Sequence, residues 1–398
     1  MVSTRLSVGL DVTSLIGPRT GVGAFTAEVV GGLARRNDLV VRAFAVSWRG
    51  RDGLAATLPD GVTVARRPMA ARPLRTLWRR ADCPAIERWT GALDVVHGPN
   101  FVVPPARRAA EVVTVHDLTA WRFPELVDRA TAQYPALVAR AVARGAWVHT
   151  PSRTVADEVV ERLGADPDRV VAILNGAPDL GPAGAGRDAA TGRSIAGAEG
   201  YVLAVGTVEP RKDLAGLVRA FDLAAAEIDD VRLVLAGPDG WGAEALEWAR
   251  AGAHHGDRIM RLGWVDDDQR AALLRGATVV AYPSVYEGFG LVPLEAMSAG
   301  VPVVTTRAGA IPEVVGDAAE LVDVGDTAAL AAALVRVLGD DARRAQLVAA
   351  GHRRLEDFSW DDTVDELVAL YRRASADDDQ RFSRRSRGPR SGGWRRSR

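Results

Sequence analysis

Two carboxylates and two cations stand at spacings that could do chemistry. Glu287 and Glu295 are separated by seven residues and flank the Gly-Phe-Gly turn Gly288, Phe289, Gly290 in the run YPSVYEGFGLVPLEAMSAGVPVVTT, Tyr282 to Thr306. Arg211 and Lys212 are adjacent in GTVEPRKDLAGLVRAF, and Lys212 is the single Lys among the 50 Lys and Arg residues. Asp213 suits an N-cap, and Leu214, Leu217, Val218 and Phe221 form a helical stripe, so both cations precede a helix whose dipole adds to their charge. Such a cluster suits a doubly negative group, and a diphosphate fits; solvated surface charge is the plain alternative. A glycoside-hydrolysing acid and nucleophile is the competing reading of the two Glu. Glu295 lies inside a helix, which argues against it.

The elements that must position these groups are legible around them. Pro293 suits the first helical turn, Gly300 the C′ position, and Pro302 forbids continuation, so a helix is expected near 292–299. Apolar runs at 277–282 and 301–305 supply a strand on either side. The turn's backbone N–H groups then face out of the sheet's C-terminal edge, where an anion or a polyol can sit. Near the N-terminus, a strand at 6–12 leads through RTGVGAFT into a helix at 24–36. Gly21 and Gly23 allow close backbone approach at that helix start, although Thr26 stands where a dinucleotide fingerprint has its third Gly, and a simple tight turn is the alternative. Two further strands, DVVHGP and EVVTVHD, each end in a His. His97 is read as a hydrogen-bonded structural residue and His116, followed by Asp117, as a functional one. No H-x-x-x-H, Cys-His pairing or D-x-D motif offers a metal site.

Composition bounds the rest. A chain of 398 residues, 47% hydrophobic, calls for two domains, and a net charge of −1 gives no reason to expect nucleic acid. Cys83 is alone, there is no signal-peptide apolar region and no run of eighteen apolar residues, so a cytoplasmic protein, or one peripheral to a membrane, is expected. Between Arg66 and Arg108 stand nine Arg, interleaved with Leu74, Leu77, Trp78, Ile86 and Trp89. That stripe suits an anionic membrane surface or an amphiphilic acceptor; the plainer reading is a solvated helix pair with its apolar face inward. Residues 181–200 are rich in Gly, Ala and Pro without apolar period and read as a linker. A last amphipathic helix is expected at 361–373, followed by a disordered tail with eight Arg.

The order GTVEPRK, AGPDG, LGWV, YPSVYEGFGLVPLEAMSAGVPVV resembles the family-4 retaining glycosyltransferases, in particular bacterial mannosyltransferase-like members with an EPRK motif. RTGVGAFT, HGP, HD and TPS fall in the expected order upstream. The resemblance implies an α/β protein of GT-B architecture, with two Rossmann-like domains facing across a cleft and a C-terminal helix crossing back. The domains would be 1–180, binding acceptor, and 198–358, binding the nucleotide sugar. A linker at 181–197, a crossing helix at 359–375 and an Arg-rich tail at 376–398 complete the chain. By the same resemblance Arg211 and Lys212 grip the donor diphosphate, Glu287 lies beside the donor sugar, and Glu295 accepts hydrogen bonds from ribose hydroxyls. Gly288, Phe289, Gly290 and Leu291 form the loop that meets phosphate and sugar, His116 bonds the donor sugar, and Gly21 and Gly23 touch the phosphate from the acceptor domain. Thr207, Gly237 and Val265 belong to the donor-binding set, Thr207 standing where many relatives carry Arg. The activity implied is metal- and cofactor-independent transfer of a hexose, GDP-mannose being the favoured donor, to a lipid-linked or glycan acceptor. A sugar-nucleotide epimerase of the same architecture and a catalytically silent sugar-nucleotide-binding subunit are the alternatives.

Overall fold

Short apolar runs alternating with helical stripes build two all-parallel sheets in the computed structural model, which describes residues 5–17, 21–49, 53–184 and 186–386. The N-terminal sheet has seven strands: β1 (Leu6–Asp11), β2 (Leu39–Phe44), β3 (Thr63–Val64), β4 (Val95–Gly98), β5 (Ala110–Thr114), β6 (Trp147–Thr150) and β7 (Val170–Ala172), in the order β3-β2-β1-β4-β5-β6-β7. The C-terminal sheet has six: β8 (Gly200–Val205), β9 (Val231–Ala236), β10 (Ile259–Gly263), β11 (Val279–Tyr282), β12 (Val303–Thr306) and β13 (Ala319–Val322), in the order β10-β9-β8-β11-β12-β13. Helices cover both faces of each sheet, so the central strands are buried throughout and read as continuous apolar runs, as in VVAY of β11. The strand order reverses between β1 and β4 in one sheet and between β8 and β11 in the other. Crevices open at the C-terminal ends of such strand pairs, and ligands bind there.

The last helix, Trp360–Ser386, returns to the N-terminal domain. Val364, Leu367, Val368, Leu370, Tyr371 and Ala374 join the apolar cluster formed by β1, β2 and the helix Gly21–Ala34. Beneath it runs a fully buried hydrogen-bond chain. The Ile173 carbonyl can only accept, so His149 Nε2 donates to it (3.2 Å). His149 Nδ1 must then accept from the Thr114 hydroxyl (2.9 Å), Thr114 Oγ1 from His97 Nε2 (2.7 Å), and His97 Nδ1 from the Tyr371 hydroxyl (2.7 Å). His97 is thus the structural residue its apolar neighbours suggest.

Two expectations are corrected. The segment 181–197 is not a bare linker: Ala189–Ala196 is a helix, N-capped by the Asp188 carboxylate on Thr191 N–H (2.7 Å). Its small residues give no apolar period because they serve close helix packing; a Cβ on Gly192 would run into the Ala272 carbonyl. The Arg-rich tail also does not begin at 376, since the crossing helix continues to Ser386. Asp377 holds that extension to the N-terminal domain by pairing with Arg169. The rest of the tail, 387–398, and Arg19 and Thr20 of RTGVGAFT lie outside the described residues. Among the described residues no helix is long and apolar enough to cross a membrane.

Candidate active site

The Glu287 carboxylate lies where the β8 and β11 loops meet. Loop β8 runs through Thr207 into a short 3-10 turn, Pro210–Lys212, before Asp213 caps the helix Leu214–Ala225 with its side chain on Gly216 N–H (3.0 Å). This presents Arg211 and Lys212 toward the end of β11. Arg211 Nη1 is 2.7 Å from Glu287 Oε2 and Lys212 Nζ is 2.7 Å from Oε1, while the Tyr282 hydroxyl donates to Oε1 at 2.8 Å. Lys212 Nζ also lies 2.5 Å from Tyr282 Oη and over its ring. Burial works to raise the Glu287 carboxyl, but Lys212 and Arg211 outweigh it and hold it at about 2. For Lys212, burial is the larger influence and depresses the ammonium, with Glu287 opposing and Arg211 adding to the fall. Arg211 stays charged against burial because Glu287, Asp117 and Glu209 surround it.

The second carboxylate is separate. Glu295 lies in the helix Leu291–Ser298, buried, and pairs with Arg270 of the helix Asp267–Gly276. Burial raises its pKa and Arg270 restrains the rise. Glu287 and Glu295 therefore have separate partners, Arg211 and Lys212 for one and Arg270 for the other.

Glycine permits the approach of the two domains. A Cβ on Gly288 would overlap the carbonyl oxygen of His116, so the turn can lie directly on the His116 loop only without a side chain. Gly237, at φ +147°, is backed against Gly206 so closely that a Cβ would strike the Gly206 carbonyl; this glycine packs the β8 and β9 loops together. Gly21, the first residue of its helix, faces Leu291 across the cleft, and Gly23 is buried in the same first turn. Phe289 turns inward, edge-on to Phe358 with ring centroids 5.8 Å apart, and Val265 packs on the same core, so both anchor loops through their side chains. Gly290, at φ +124°, starts the helix that carries Glu295.

His116 follows β5 and donates from Nε2 to the Pro99 carbonyl (2.7 Å). Burial depresses its pKa, while Pro99 and Asp117 oppose, so the ring is neutral and Nδ1 is left as an acceptor. The structure thus gathers Arg211, Lys212, Glu287, Gly288 and His116 at one cleft, with Glu295 one helix further along the C-terminal domain. Sequence reading passed over Tyr282, Tyr286 and Arg270. Tyr282 had a signal, a polar group ending an apolar strand; Arg270 had none, being one Arg among many.

Comparison with known proteins agrees with this geometry. Residues 19–179 match the profile described as Glycosyltransferase Family 4 and residues 199–340 that of Glycosyl transferases group 1. The O-antigen chain mannosyltransferase B of Escherichia coli is 32% identical over 312 residues, 77% of this chain and 81% of that protein. The D-inositol 3-phosphate glycosyltransferase of Geodermatophilus obscurus is 32% identical over 397 residues, covering 90% and 86%. Among solved structures, sucrose-phosphate synthase from Thermosynechococcus elongatus superposes with a TM-score of 0.72 at 22% identity, over 94% of this chain and 100% of that one, which establishes the GT-B fold. The chain belongs to glycosyltransferase family 4 and is a glycosyltransferase of glycan or glycolipid biosynthesis.

Proposed function

We propose that the protein transfers a hexose, mannose from GDP-mannose, to a lipid-linked or glycan acceptor of the cell envelope, with retention of configuration and without a metal. The observation that carries this is the Glu287 carboxylate clamped between Arg211 and Lys212 at the mouth of the β8/β11 crevice. The mannosyl donor is supported by the name of the E. coli relative.

Cleavage of a bond between an anomeric carbon and a diphosphate leaves an oxocarbenium-like carbon and a leaving group gaining negative charge, so catalysis needs charge stabilisation at the phosphate more than a strong base. Arg211 and Lys212 supply two cations there, and the N–H groups at the start of the helix Leu291–Ser298 add their dipole. Glu287, ionised at all working pH values, accepts hydrogen bonds from the sugar while keeping both cations in place. Neutral His116 accepts from a second sugar hydroxyl through Nδ1. The acceptor oxygen forms its bond to C1 on the face from which the C1–O(phosphate) bond breaks, and the acceptor proton passes to the departing phosphate oxygen. Glu295, oriented by Arg270, receives the ribose hydroxyls. Thr207, Gly237 and Val265 shape the donor loops, and Gly21 and Gly23 close on the phosphate from the N-terminal side.

The test is a screen of GDP, UDP and dTDP sugars by thermal stabilisation, followed by transfer assays and determination of the anomeric configuration of the product. Ligand at 100 to 1,000 times its Kd should add roughly 3–4 kcal/mol of stability. Lys212→Ala is expected to abolish that stabilisation. No response to any nucleotide sugar overturns the reading, and an inverted product overturns the retaining mechanism. Turnover of donor without acceptor points to an epimerase instead.

A further inference from the structure

Tyr286 and Glu287 are neighbours in sequence and serve opposite domains. Glu287 turns into the cations of its own domain, whereas the Tyr286 ring leaves that domain and is buried in the N-terminal apolar cluster with Val115, Leu118 and Val155. Its hydroxyl accepts from Leu118 N–H (3.0 Å) and donates to Glu158 Oε2 (2.7 Å). Arg122 pairs with Glu158 and covers the Tyr286 ring, 4.9 Å from its centroid. The Tyr286 carbonyl in turn accepts from Arg211 Nη1 (3.1 Å). One residue therefore joins a donor-side cation to the loop that follows His116.

A second contact crosses the boundary nearby. The helix Arg153–Leu163 of the N-terminal domain has its first free N–H groups met by Glu313 of the C-terminal domain: Oε1 accepts from Arg153 N–H (2.8 Å), and Oε2 from Thr154 N–H (2.9 Å) and the Thr154 hydroxyl (2.7 Å). Between the two contacts, the Ser152 hydroxyl donates to the Gly288 carbonyl (2.8 Å). The turn after Glu287 is thus held from both sides by groups of the other domain.

We propose that Tyr286, seconded by Glu313, is the positioning residue that sets the Glu287 side of the cleft in register with the His116 side. It acts through the backbone of the turn and does not touch substrate. Its kinetic consequence rests on the transfer reading above; its structural consequence does not. The exposed Cys83 in the N-terminal domain is the chain's only Cys, so a second label at Ala245→Cys, an exposed site in the C-terminal domain, reports the separation of the domains.

Spin-label distances in the full chain should be narrow in the parent protein, broader in Tyr286→Phe, and shifted to longer values in Tyr286→Ala and Glu313→Gln. In transfer assays with GDP-mannose, Tyr286→Phe should lower kcat by about one to two orders of magnitude while the Kd for GDP, most of whose proposed contacts lie in the C-terminal domain, stays within about twofold. Unchanged distances in Tyr286→Ala overturn the proposal, as does a Tyr286→Phe enzyme with parental kcat. Loss of GDP binding in step with kcat also overturns it, because a general loss of structure then explains both. Altered distances in a protein that transfers no sugar retain the register role and reject the transfer reading.

Discussion

Glu287 keeps its charge against burial because two cations face it, and the size of that effect sets a measurable pH dependence. Its pKa falls from 4.5 to about 2 on folding. A depressed acid stabilises the fold fully above its unfolded value and loses that contribution as pH drops toward the folded one, so the window here runs from about pH 5 down to about pH 2. At 1.36 kcal/mol per unit the contribution is on the order of 3 kcal/mol. Urea unfolding of Glu287→Gln should show a deficit of that order at pH 7 that closes as pH falls toward the bottom of this window; an equal deficit throughout would show that the charge is not its source. Arg270 carries a separate expectation. If it orients Glu295 toward a ribose, Arg270→Gln and Glu295→Gln should each weaken nucleotide binding by about tenfold, the loss of a charge-assisted hydrogen bond of roughly 1.5 kcal/mol, with equal effects for GDP and GDP-mannose. A loss confined to the sugar-bearing ligand would place Glu295 elsewhere. The two Glu and the Arg-Lys pair could be read from residue type and spacing, since fixed charges beside glycines and helix starts have few packing uses. Tyr286 and Glu313 could not, because their partners lie across a domain boundary more than a hundred residues away in sequence.

At the scale of elements, the crossing helix rests on apolar contacts and on the hydrogen-bond chain from Tyr371 to Ile173. Burial depresses both imidazoles, His149 to about 3 and His97 well below its ordinary value. A buried neutral base stabilises above its unfolded value of about 6.5, and that contribution is lost as pH falls from there toward the folded value. Stability should therefore decline below pH 6.5 by up to about 1.4 kcal/mol per unit for each His, and His149→Gln should reduce the slope in acid-titrated unfolding. Tyr371→Phe removes the donor to His97 Nδ1 and strands a buried acceptor, at a cost of about 1–3 kcal/mol by denaturant unfolding. The strand, glycine turn and helix around Glu287 were legible because caps and prolines punctuate them. The helix Ala189–Ala196 was not: its Ala, Gly and Ser residues are chosen for closeness to Ala272 and leave no hydrophobic period. The crossing helix was placed correctly at its start, but neither its continuation to Ser386 nor the distant ion pair of Asp377 with Arg169 is visible in composition.

At the scale of the whole molecule, a net charge of −1 conceals a local concentration of Arg. Arg67, Arg72, Arg80, Arg88, Arg107 and Arg108 are exposed on the N-terminal domain. Their segments are contiguous, since Arg67 donates to the Arg88 carbonyl and Glu87 accepts from Arg107 and Arg108 N–H groups. The three acids within this stretch are engaged, Asp82 by Arg140, Glu87 by those backbone donors and Asp94 by the Ser7 N–H. Leu74, Trp78 and Ile86 pack inward, as the plainer reading of the stripe required, while Leu77 stays exposed and Trp48, next to the Ser47 carbonyl that binds Met69 N–H, is 68% exposed. At the start of the crossing helix the acids are in part paired, Asp357 with Arg354, Asp361 with Arg35 and Asp365 with Arg36. A face so rich in exposed Arg should turn to an anionic bilayer, which would bring a lipid-linked acceptor to the domain proposed to bind it. Each Arg near such a surface contributes about 1 kcal/mol, so replacing Arg67, Arg72, Arg80 and Arg88 by Gln should weaken binding to phosphatidylserine vesicles by roughly 10³-fold at low salt. Flotation with anionic and with neutral vesicles measures this directly. Binding that survives the four substitutions, or that ignores salt, would mean that the basic face is solvated surface and that the acceptor reaches the cleft by another route.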